Sequence, residues 1–267
     1  MDLTLKDKVI FVTGGAKGIG AAIVRSCGRE GAVPVIFDRD LEAIEEIQAA
    51  LRRESIRNEA VVVELTDFAR SSQLVKDVGR KLGHIDALVN NAGVNDGVGL
   101  EHGSPERFAA SLKCNLVPYY TMAQAALPFL KESKGSIINI GSKVAVTGQG
   151  GTSGYAAAKG AILELTAQWA AELLSYGVRV NTIVPSEVMT PQYEDWLKRV
   201  DNPQQELRKI AAKIPLGRRF TEPEEIAAMV TFLLSSKSRI NGQHLFVDGG
   251  YVHLDRALTS VSDVIDC

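Results

Sequence analysis

Short apolar runs alternate with longer stretches of mixed apolar and polar residues along most of the chain. The short runs are typical of buried strands and the longer stretches of amphipathic helices, so their order predicts repeated strand–helix–strand units. Because nearly all the short runs are continuous rather than alternating, we expect a parallel sheet with helices on both faces. The predicted strands are residues 8–13, 32–37, 60–64, 86–90, 136–140, 179–184 and 244–247.

The 267 residues leave room for one large or two small domains. No linker, repeat or low-complexity segment interrupts the pattern, which predicts one doubly wound α/β domain over residues 1–267. Within it, residues 187–219 read as an irregular insertion before the last helix and are a candidate substrate lid. The tail at residues 251–267 is too short to add a layer, so we expect it to be either frayed or docked on a neighbouring subunit.

The charge balance argues against large charged partners. A formal net charge of -2 and a pI near 6.1 give no reason to expect a nucleic acid or an acidic membrane surface, so a small molecule is the expected partner. The sequence has no run long and apolar enough to cross a bilayer and no leader pattern at residue 1, which favours a cytoplasmic location.

Metal chemistry is not expected either. The 3 cysteines and 4 histidines are scattered, which fits neither a disulfide framework nor the spacing of a zinc site. We interpret Cys27 and Cys114 as buried small hydrophobic residues rather than redox groups.

A glycine-rich loop at residues 13–20 follows the first predicted strand and leads into a helical pattern at Ala21. Glycines let the backbone turn tightly and approach a pyrophosphate, which the N-terminus of the helix then stabilises. In this setting the loop predicts a nucleotide site, although an ordinary strand-to-helix turn is the alternative. The candidate contacts are Gly14, Lys17, Gly18, Ile19 and Gly20.

An acidic residue ends the second predicted strand. Asp38 lies about 20 residues beyond the glycine loop, where a carboxylate can accept hydrogen bonds from the adenosine ribose. It would also repel a 2′-phosphate, so it favours NAD over NADP, although Lys17 and Arg39 are cationic neighbours that could soften this choice. The alternative is that Asp38 merely caps the following helix, as Asp40 could.

Three residues near the end of the fifth predicted strand suggest the reaction. Ser142 follows that strand at the edge where doubly wound sheets bind ligands, and Tyr155 and Lys159 share one face of a predicted helix. We expect the Lys159 ammonium to lower the pKa of Tyr155, which then accepts a proton from an alcohol while a hydride leaves for the nicotinamide. Ser142 would orient the substrate oxygen and stabilise its developing charge.

These motifs together resemble those of the short-chain dehydrogenase/reductase family. The family's glycine loop matches residues 13–20, its Asn-Asn-Ala-Gly motif matches residues 90–93, and its serine, tyrosine and lysine match Ser142, Tyr155 and Lys159. The resemblance spans residues 5–250 and implies a single Rossmann domain that oxidises or reduces small molecules with a nicotinamide cofactor. It also implies that Asn115 is a fourth catalytic residue, which holds a water in the proton relay to the lysine.

The resemblance implies further cofactor contacts. The adenine position falls on Glu64 and Leu65 rather than the usual aspartate, and Ser186 replaces a usual glycine, which makes that loop less permissive. The family also forms tetramers through helices that correspond to residues 115–131 and 154–176. The implied cofactor residues outside the glycine loop are Asp38, Glu64, Leu65, Asn91, Ala92, Gly93, Tyr155, Lys159, Pro185, Val188 and Thr190.

Within the family, residues 94–100, 142–150, 187–191 and 250–256 are similar to the bacterial L-fucose dehydrogenase group. This resemblance implies oxidation of the anomeric carbon of L-fucose or a similar aldose to a lactone. The polar side chains that these stretches bring to the expected mouth suit a ligand rich in hydroxyl groups, although solvated loops are the alternative. The candidate substrate contacts are Asn95, Asp96, Ser142, Lys143, Gln149, Tyr155, Glu187 and Met189.

Two other functions stay open. An apolar lining of Val144, Met189 and Trp196 would favour another secondary alcohol or a steroid. A catalytically silent nucleotide-binding regulator is a more distant alternative, and the intact Tyr155 and Lys159 weigh against it.

Overall fold

Seven strands form one sheet in which every neighbouring pair is parallel, in the order β3-β2-β1-β4-β5-β6-β7. The structure is a computed structural model that describes residues 2–254. Chain order reverses between β1 and β4, and such a switch point opens a crevice at the carboxyl ends of the strands. The strands are β1 (Val9–Thr13), β2 (Val33–Asp38), β3 (Glu59–Val62), β4 (Ala87–Asn90), β5 (Ser136–Ile140), β6 (Arg179–Pro185) and β7 (His244–Val247).

Helices cover both faces of the sheet. Within β1, Ile10 and Val12 pack into one apolar layer with α1, α2 and α9, while Val9 and Phe11 pack into the other with α3, α5 and α6. Burial on both faces is why the strands read as continuous apolar runs. The helices are α1 (Gly18–Arg29), α2 (Leu41–Arg53), α3 (Phe68–Leu82), α4 (Pro105–Asn115), α5 (Val117–Ser133), α6 (Ser153–Glu172), α7 (Pro191–Leu197), α8 (Pro203–Ala211) and α9 (Pro223–Leu234).

This architecture confirms the single-domain, doubly wound α/β prediction, and the seven strands lie where the apolar runs placed them. The largest displacement is at β3, which is Glu59–Val62 rather than 60–64. Glu64 lies beyond the end of β3, where its carboxylate accepts a hydrogen bond from the backbone N–H of Thr66 at 3.1 Å. The helix expected over 115–131 begins only at Val117, since α4 ends at Asn115 and the backbone breaks at Leu116.

The insertion at residues 187–219 is not irregular, contrary to the sequence-based expectation. It contains α7 and α8, which begin on Thr190-Pro191 and Asn202-Pro203. In each pair the polar side chain caps the helix, and the proline occupies a first-turn position where its missing N–H costs nothing. The role of this insertion as a substrate lid stays a prediction.

Cys27 is buried as expected, but Cys114 is exposed, so the interpretation of Cys114 as a core residue is wrong. Cys114 lies on α4, next to the buried Asn115, on a turn that faces outward. Between residues 2 and 254, no His, Cys, Asp and Glu side chains cluster in a way that could hold a metal ion. No helix in that range is long and apolar enough to cross a membrane. The predicted tail at 251–267 lies outside the described residues beyond Leu254.

Candidate active site

The glycine loop between β1 and α1 forms a cradle at the crevice. Gly14 and Gly18 have φ of +61° and +53°, a left-handed conformation that side chains rarely adopt. A Cβ on Gly20 would lie 2.0 Å from the carbonyl oxygen of Gly14, so only glycine permits this turn. Lys17 is the N-cap of α1 but makes no side-chain capping bond, which leaves the first-turn N–H groups available to an anion.

The loop after β4 holds the glycine loop in place. Asn91 Nδ2 donates to the carbonyl oxygens of Thr13 and Gly14, both at 3.0 Å. In return, Thr13 Oγ1 accepts the backbone N–H groups of Asn91 and Ala92 at 2.9 and 3.1 Å. Hydrogen bonds therefore join the two distant segments that are predicted to bind the cofactor.

Asp38 ends β2 with its carboxylate against this loop. It accepts the backbone N–H groups of Ala16, Arg39 and Asp40 at 3.1, 2.8 and 3.2 Å. The N-cap of α2 is Asp40, whose side chain accepts the N–H of Ala43, so Asp38 does not cap that helix. The structure therefore assigns the cap of α2 to Asp40 rather than to Asp38, and the role of Asp38 in binding a ribose stays a prediction.

The two cations beside Asp38 are already paired. Lys17 Nζ lies 2.6 Å from a carboxylate oxygen of Asp40, and Arg39 Nη1 lies 3.0 Å from a carboxylate oxygen of Glu64. The hydrogen bond to Asp40 raises the pKa of Lys17, and the same bond lowers the pKa of Asp40. Both pairs are exposed, and because exposed ion pairs typically contribute only about 0–1 kcal/mol, each holds its cation weakly.

Residues after β6 reach the same cradle. A Cβ on Gly18 would lie 3.3 Å from Thr190 Cγ2, so Thr190 packs directly on the glycine loop. Val188 pairs with Thr221 through an isolated bridge, and Pro185 is the last residue of β6. Ser186 is not among the described residues with positive φ, and its hydroxyl donates to the carbonyl of Asp248 at 3.2 Å. Serine in place of the family's glycine therefore fits this loop.

Ser142, Tyr155, Lys159 and Asn115 converge beside the cradle. Ser142 follows β5 and interacts with the Tyr155 hydroxyl, while Lys159 Nζ lies 5.5 Å from the centre of the Tyr155 ring. Asn115, fully buried at the end of α4, accepts the backbone N–H of Val94 at 2.7 Å. A Cβ on Gly93 would lie 3.1 Å from Asn115 Oδ1 and 3.6 Å from Lys159 Nζ, so these groups border one space.

The expected depression of the Tyr155 pKa is not what this arrangement produces. Burial raises the pKa of Tyr155 to about 12, with the Ser142 interaction opposing the rise, and burial lowers the pKa of Lys159 to about 7. Lys159 Nζ donates to the Tyr119 hydroxyl and the Ile140 carbonyl at 2.9 and 2.6 Å. Desolvation is therefore the main influence on the pKa of Tyr155.

The candidate substrate residues divide into two groups. Asn95 and Gln149 lie exposed on loops, and Met189 is half-buried. Lys143 and Glu187 instead form an ion pair with each other, with side chains only 8% and 15% exposed. Their charges therefore compensate each other, and the two side chains form one coupled polar group.

Two aromatic residues that the sequence did not suggest complete this pair. Lys143 Nζ lies 3.9 Å from the centre of the Tyr251 ring. Burial raises the pKa of Tyr193, and the adjacent Glu187 carboxylate adds to that rise. We call Lys143, Glu187, Tyr193 and Tyr251 the mouth cluster. It joins the segments after β5, β6 and β7 to α7.

A glycine cradle at a helix N-terminus, a carboxylate at the end of the next strand and an adjacent Ser-Tyr-Lys set define a dinucleotide-dependent oxidoreductase. The pyrophosphate would lie on the cradle and the ribose hydroxyls at Asp38, and the nicotinamide would supply the hydride acceptor. Residues 14–252 match the short-chain dehydrogenase family model described as enoyl-(acyl carrier protein) reductase. The chain belongs to the short-chain dehydrogenase/reductase family.

Individual relatives agree with this assignment. The L-fucose dehydrogenase of Bos taurus is 37% identical over 244 residues, which cover 91% of this chain and 88% of that protein. The meso-2,3-butanediol dehydrogenase of Serratia marcescens is 36% identical over 245 residues, which cover 91% and 94%. The crystal structure of Cj0485 dehydrogenase has a TM-score of 0.91 and 47% identity and covers 96% of this chain and 98% of that one. The chain is thus an oxidoreductase that acts on alcohols with a nicotinamide dinucleotide.

Proposed function

We propose that the chain oxidises the anomeric carbon of L-fucose, or of an aldose with the same configuration, to a lactone with NAD. The observation that supports a sugar substrate is the mouth cluster. Its buried ion pair includes Lys143, the residue that directly follows Ser142. A site walled by a charged pair and two phenols suits a ligand with many hydroxyl groups better than an apolar one. Similarity to the Bos taurus L-fucose dehydrogenase supports the same choice.

The reaction removes a hydride and a proton from one carbinol group. In the proposed assignment Ser142 donates a hydrogen bond to the anomeric oxygen, and the phenolate form of Tyr155 accepts that oxygen's proton. The nicotinamide, when bound, would supply the acceptor for the hydride, and the electron pair left on the oxygen by the broken O–H bond would form the lactone carbonyl. Lys159 supplies positive charge near Tyr155 that favours the phenolate, and Asn115 holds the backbone of Val94 at the edge of this space.

We propose that specificity for NAD rests mainly on Asp38. A 2′-phosphate would bring negative charge to the Asp38 carboxylate, and the exposed and therefore weak ion pairs of Lys17 and Arg39 change this preference little. Ribose hydroxyls can instead donate to Asp38, as the backbone groups on its other side do. We therefore propose NAD rather than NADP.

A different alcohol is the second candidate. Val144 is buried and Met189 is half-buried, while Trp196 is 42% exposed and packs against Tyr193 of the mouth cluster with ring centres 5.2 Å apart. Similarity to the Serratia marcescens butanediol dehydrogenase favours a small secondary alcohol at these residues. A steroid would use the same apolar residues.

A substrate panel distinguishes these candidates. Purified protein is incubated with aldoses, 2,3-butanediol and hydroxysteroids, with NAD and NADP in parallel, and reduced nicotinamide is followed by absorbance. We expect L-fucose with NAD to give the highest kcat/KM, and Tyr155→Phe is the control that removes any activity due to contaminants. Oxidation of a steroid or diol but of no aldose would overturn the sugar assignment. Cofactor binding without turnover of any substrate would indicate a regulator.

We also propose that the chain forms a homotetramer through α5 and α6, as the family resemblance implies. Tyr120 on α5 is a large aromatic side chain that is 50% exposed, which suits burial against another copy. Size-exclusion chromatography with light scattering measures the mass of the assembly, and a monomer at micromolar concentration would contradict this proposal.

A further inference from the structure

The Lys159 ammonium lies in a closed triangle with two oxygens. Its Nζ donates to the Tyr119 hydroxyl at 2.9 Å and to the Ile140 carbonyl at 2.6 Å, and the Tyr119 hydroxyl donates to the same carbonyl at 3.0 Å. Lys159 and Tyr119 are 2% and 1% exposed, so water does not replace these contacts. Tyr119 belongs to none of the motifs that point to the reaction.

The hydrogen atoms in this triangle can be assigned. Burial raises the pKa of Tyr119 well above its ordinary value, so the hydroxyl keeps its proton and donates it to Ile140. The Tyr119 oxygen must therefore accept its hydrogen bond from Lys159. An ammonium has three N–H groups whereas a neutral amine has two. With two committed to Tyr119 and Ile140, a third remains for the open side of the site only while Lys159 is charged.

We propose that Tyr119 is a positioning residue that holds Lys159 in its charged form and aims it at the space between Tyr155 and Gly93. This inference rests on the proposed role of Lys159 in turnover. Tyr119 acts through Lys159, because its hydroxyl is already bound on both sides within the triangle.

The other groups around the Lys159 ammonium do not stabilise its charged form in this way. The titratable groups that face Lys159 Nζ are Tyr119 from α5 and Tyr155 from its own helix, with ring centres at 5.1 and 5.5 Å. β5 presents the neutral Ile140 carbonyl, and Gly93 borders the remaining side. Burial alone accounts for the lowered pKa of Lys159, about 7, so loss of a hydrogen-bond acceptor should lower it further.

The test measures the charge of Lys159 in the chain without cofactor. Protein labelled with ¹³Cε-lysine is titrated by NMR, and Lys159→Met identifies the Lys159 signal. Tyr119→Phe keeps the buried ring and removes only the hydroxyl, so we expect the Lys159 midpoint to fall by about one pH unit, a roughly tenfold change in its protonation constant. Tyr120→Phe makes the same chemical change at the next residue of α5, which is 50% exposed, and should leave the midpoint unchanged. An unchanged or higher midpoint in Tyr119→Phe would overturn the proposal.

A second measurement does not depend on how Tyr119→Phe folds. In wild-type protein labelled with ¹³Cζ-tyrosine, one buried tyrosine signal should shift with the same midpoint as Lys159, and Lys159→Met should abolish that step. The absence of any such coupled signal would contradict the triangle.

Turnover separates this proposal from the proposed function. With an active substrate, the alkaline limb of the kcat/KM profile of Tyr119→Phe should move to lower pH as the Lys159 midpoint does, whereas damaged packing would lower the rate evenly at all pH values. If no sugar or alcohol is oxidised, the proposed function fails, but the NMR titration still decides the role of Tyr119.

Discussion

Replacing Glu187 by glutamine leaves the Lys143 ammonium buried without a carboxylate. Breaking a buried ion pair typically costs about 3–5 kcal/mol, because the remaining charge is uncompensated, whereas an exposed pair contributes about 0–1 kcal/mol. The side chains here are 8% and 15% exposed, so the buried case applies. The Tyr251 ring, with its centre 3.9 Å from Lys143 Nζ, can stabilise the unpaired ammonium of the variant by about 1 kcal/mol, which offsets part of this cost. We therefore expect Glu187→Gln to lower the free energy of unfolding by about 2–4 kcal/mol.

A double-mutant cycle isolates the pair. Urea unfolding of wild type, Glu187→Gln, Lys143→Met and the double variant gives the coupling between the two side chains, which we expect to be about 2 kcal/mol. The exposed pair Lys198–Asp195, at the end of α7, is the matched control. The same cycle on Lys198→Met and Asp195→Asn should give less than about 0.5 kcal/mol.

The same variants show whether the pair contacts the sugar. If the mouth cluster only joins the loops around Ser142, each single variant should lower kcat/KM by a similar factor for an aldose and for a simple alcohol. Direct contact with sugar hydroxyls would lower kcat/KM for the aldose further, by about 1–3 kcal/mol. A coupling energy near zero in the unfolding cycle would refute the reasoning, because it would mean that water compensates Lys143 as well as Glu187 does.

Three further predictions concern the groups around the cofactor. Tyr155→Phe should abolish oxidation while NAD affinity, measured by calorimetry, stays close to wild type, because the phenol oxygen serves proton transfer; turnover near the wild-type rate would exclude that role. Asp38→Ala should lower the ratio of kcat/KM with NAD to that with NADP, since it removes both the ribose acceptor and the repulsion of a 2′-phosphate, and an unchanged ratio would show that Asp38 does not select the cofactor. The folded-state pKa of Lys159, about 7, lies below its ordinary 10.5, so the unfolded chain binds more protons between these values. Stability should rise with pH in that window by up to about 1.4 kcal/mol per unit relative to Lys159→Met, and parallel urea-unfolding profiles of the two proteins would contradict it.

The sequence predicts the strands well where they are buried on both faces of the sheet. Strands β1, β4 and β5 are buried on both faces, and their apolar runs end where the strands end. β3 lies at the edge of the sheet and is only half-buried, so its apolar run overstates its length. The helices of the insertion escaped prediction because they are short, although Thr190-Pro191 and Asn202-Pro203 carried an N-cap and first-turn proline signal that could have found them.

The sequence also predicts those parts of the site that local chain geometry determines. The glycine loop, Asp38 and Ser142 each follow a strand, and strand ends meet at one edge of a parallel sheet. Contacts between distant segments leave no such signal. Lys143 and Glu187 are 44 residues apart and Tyr119 and Lys159 are 40 apart, and neither spacing differs from that of unrelated polar residues. Spacing along α6 placed Lys159 near Tyr155 but carried no information on their burial, which is why the expected direction of the Tyr155 pKa was wrong.

Two buried lysines in this site differ in the partner that compensates them. Lys143 has the carboxylate of Glu187, which fixes a full positive charge next to a full negative one. Lys159 has only neutral oxygens, from Tyr119 and Ile140, and these stabilise an ammonium less than a carboxylate does. Burial can therefore lower the pKa of Lys159 to about 7, where its charge responds to a nearby phenolate or to a bound cofactor. A carboxylate at position 119 would hold the charge of Lys159 more strongly than the Tyr119 hydroxyl does and would remove that response. Under the proposed function, a neutral hydroxyl supports the charged form of Lys159 and still lets it titrate near neutral pH.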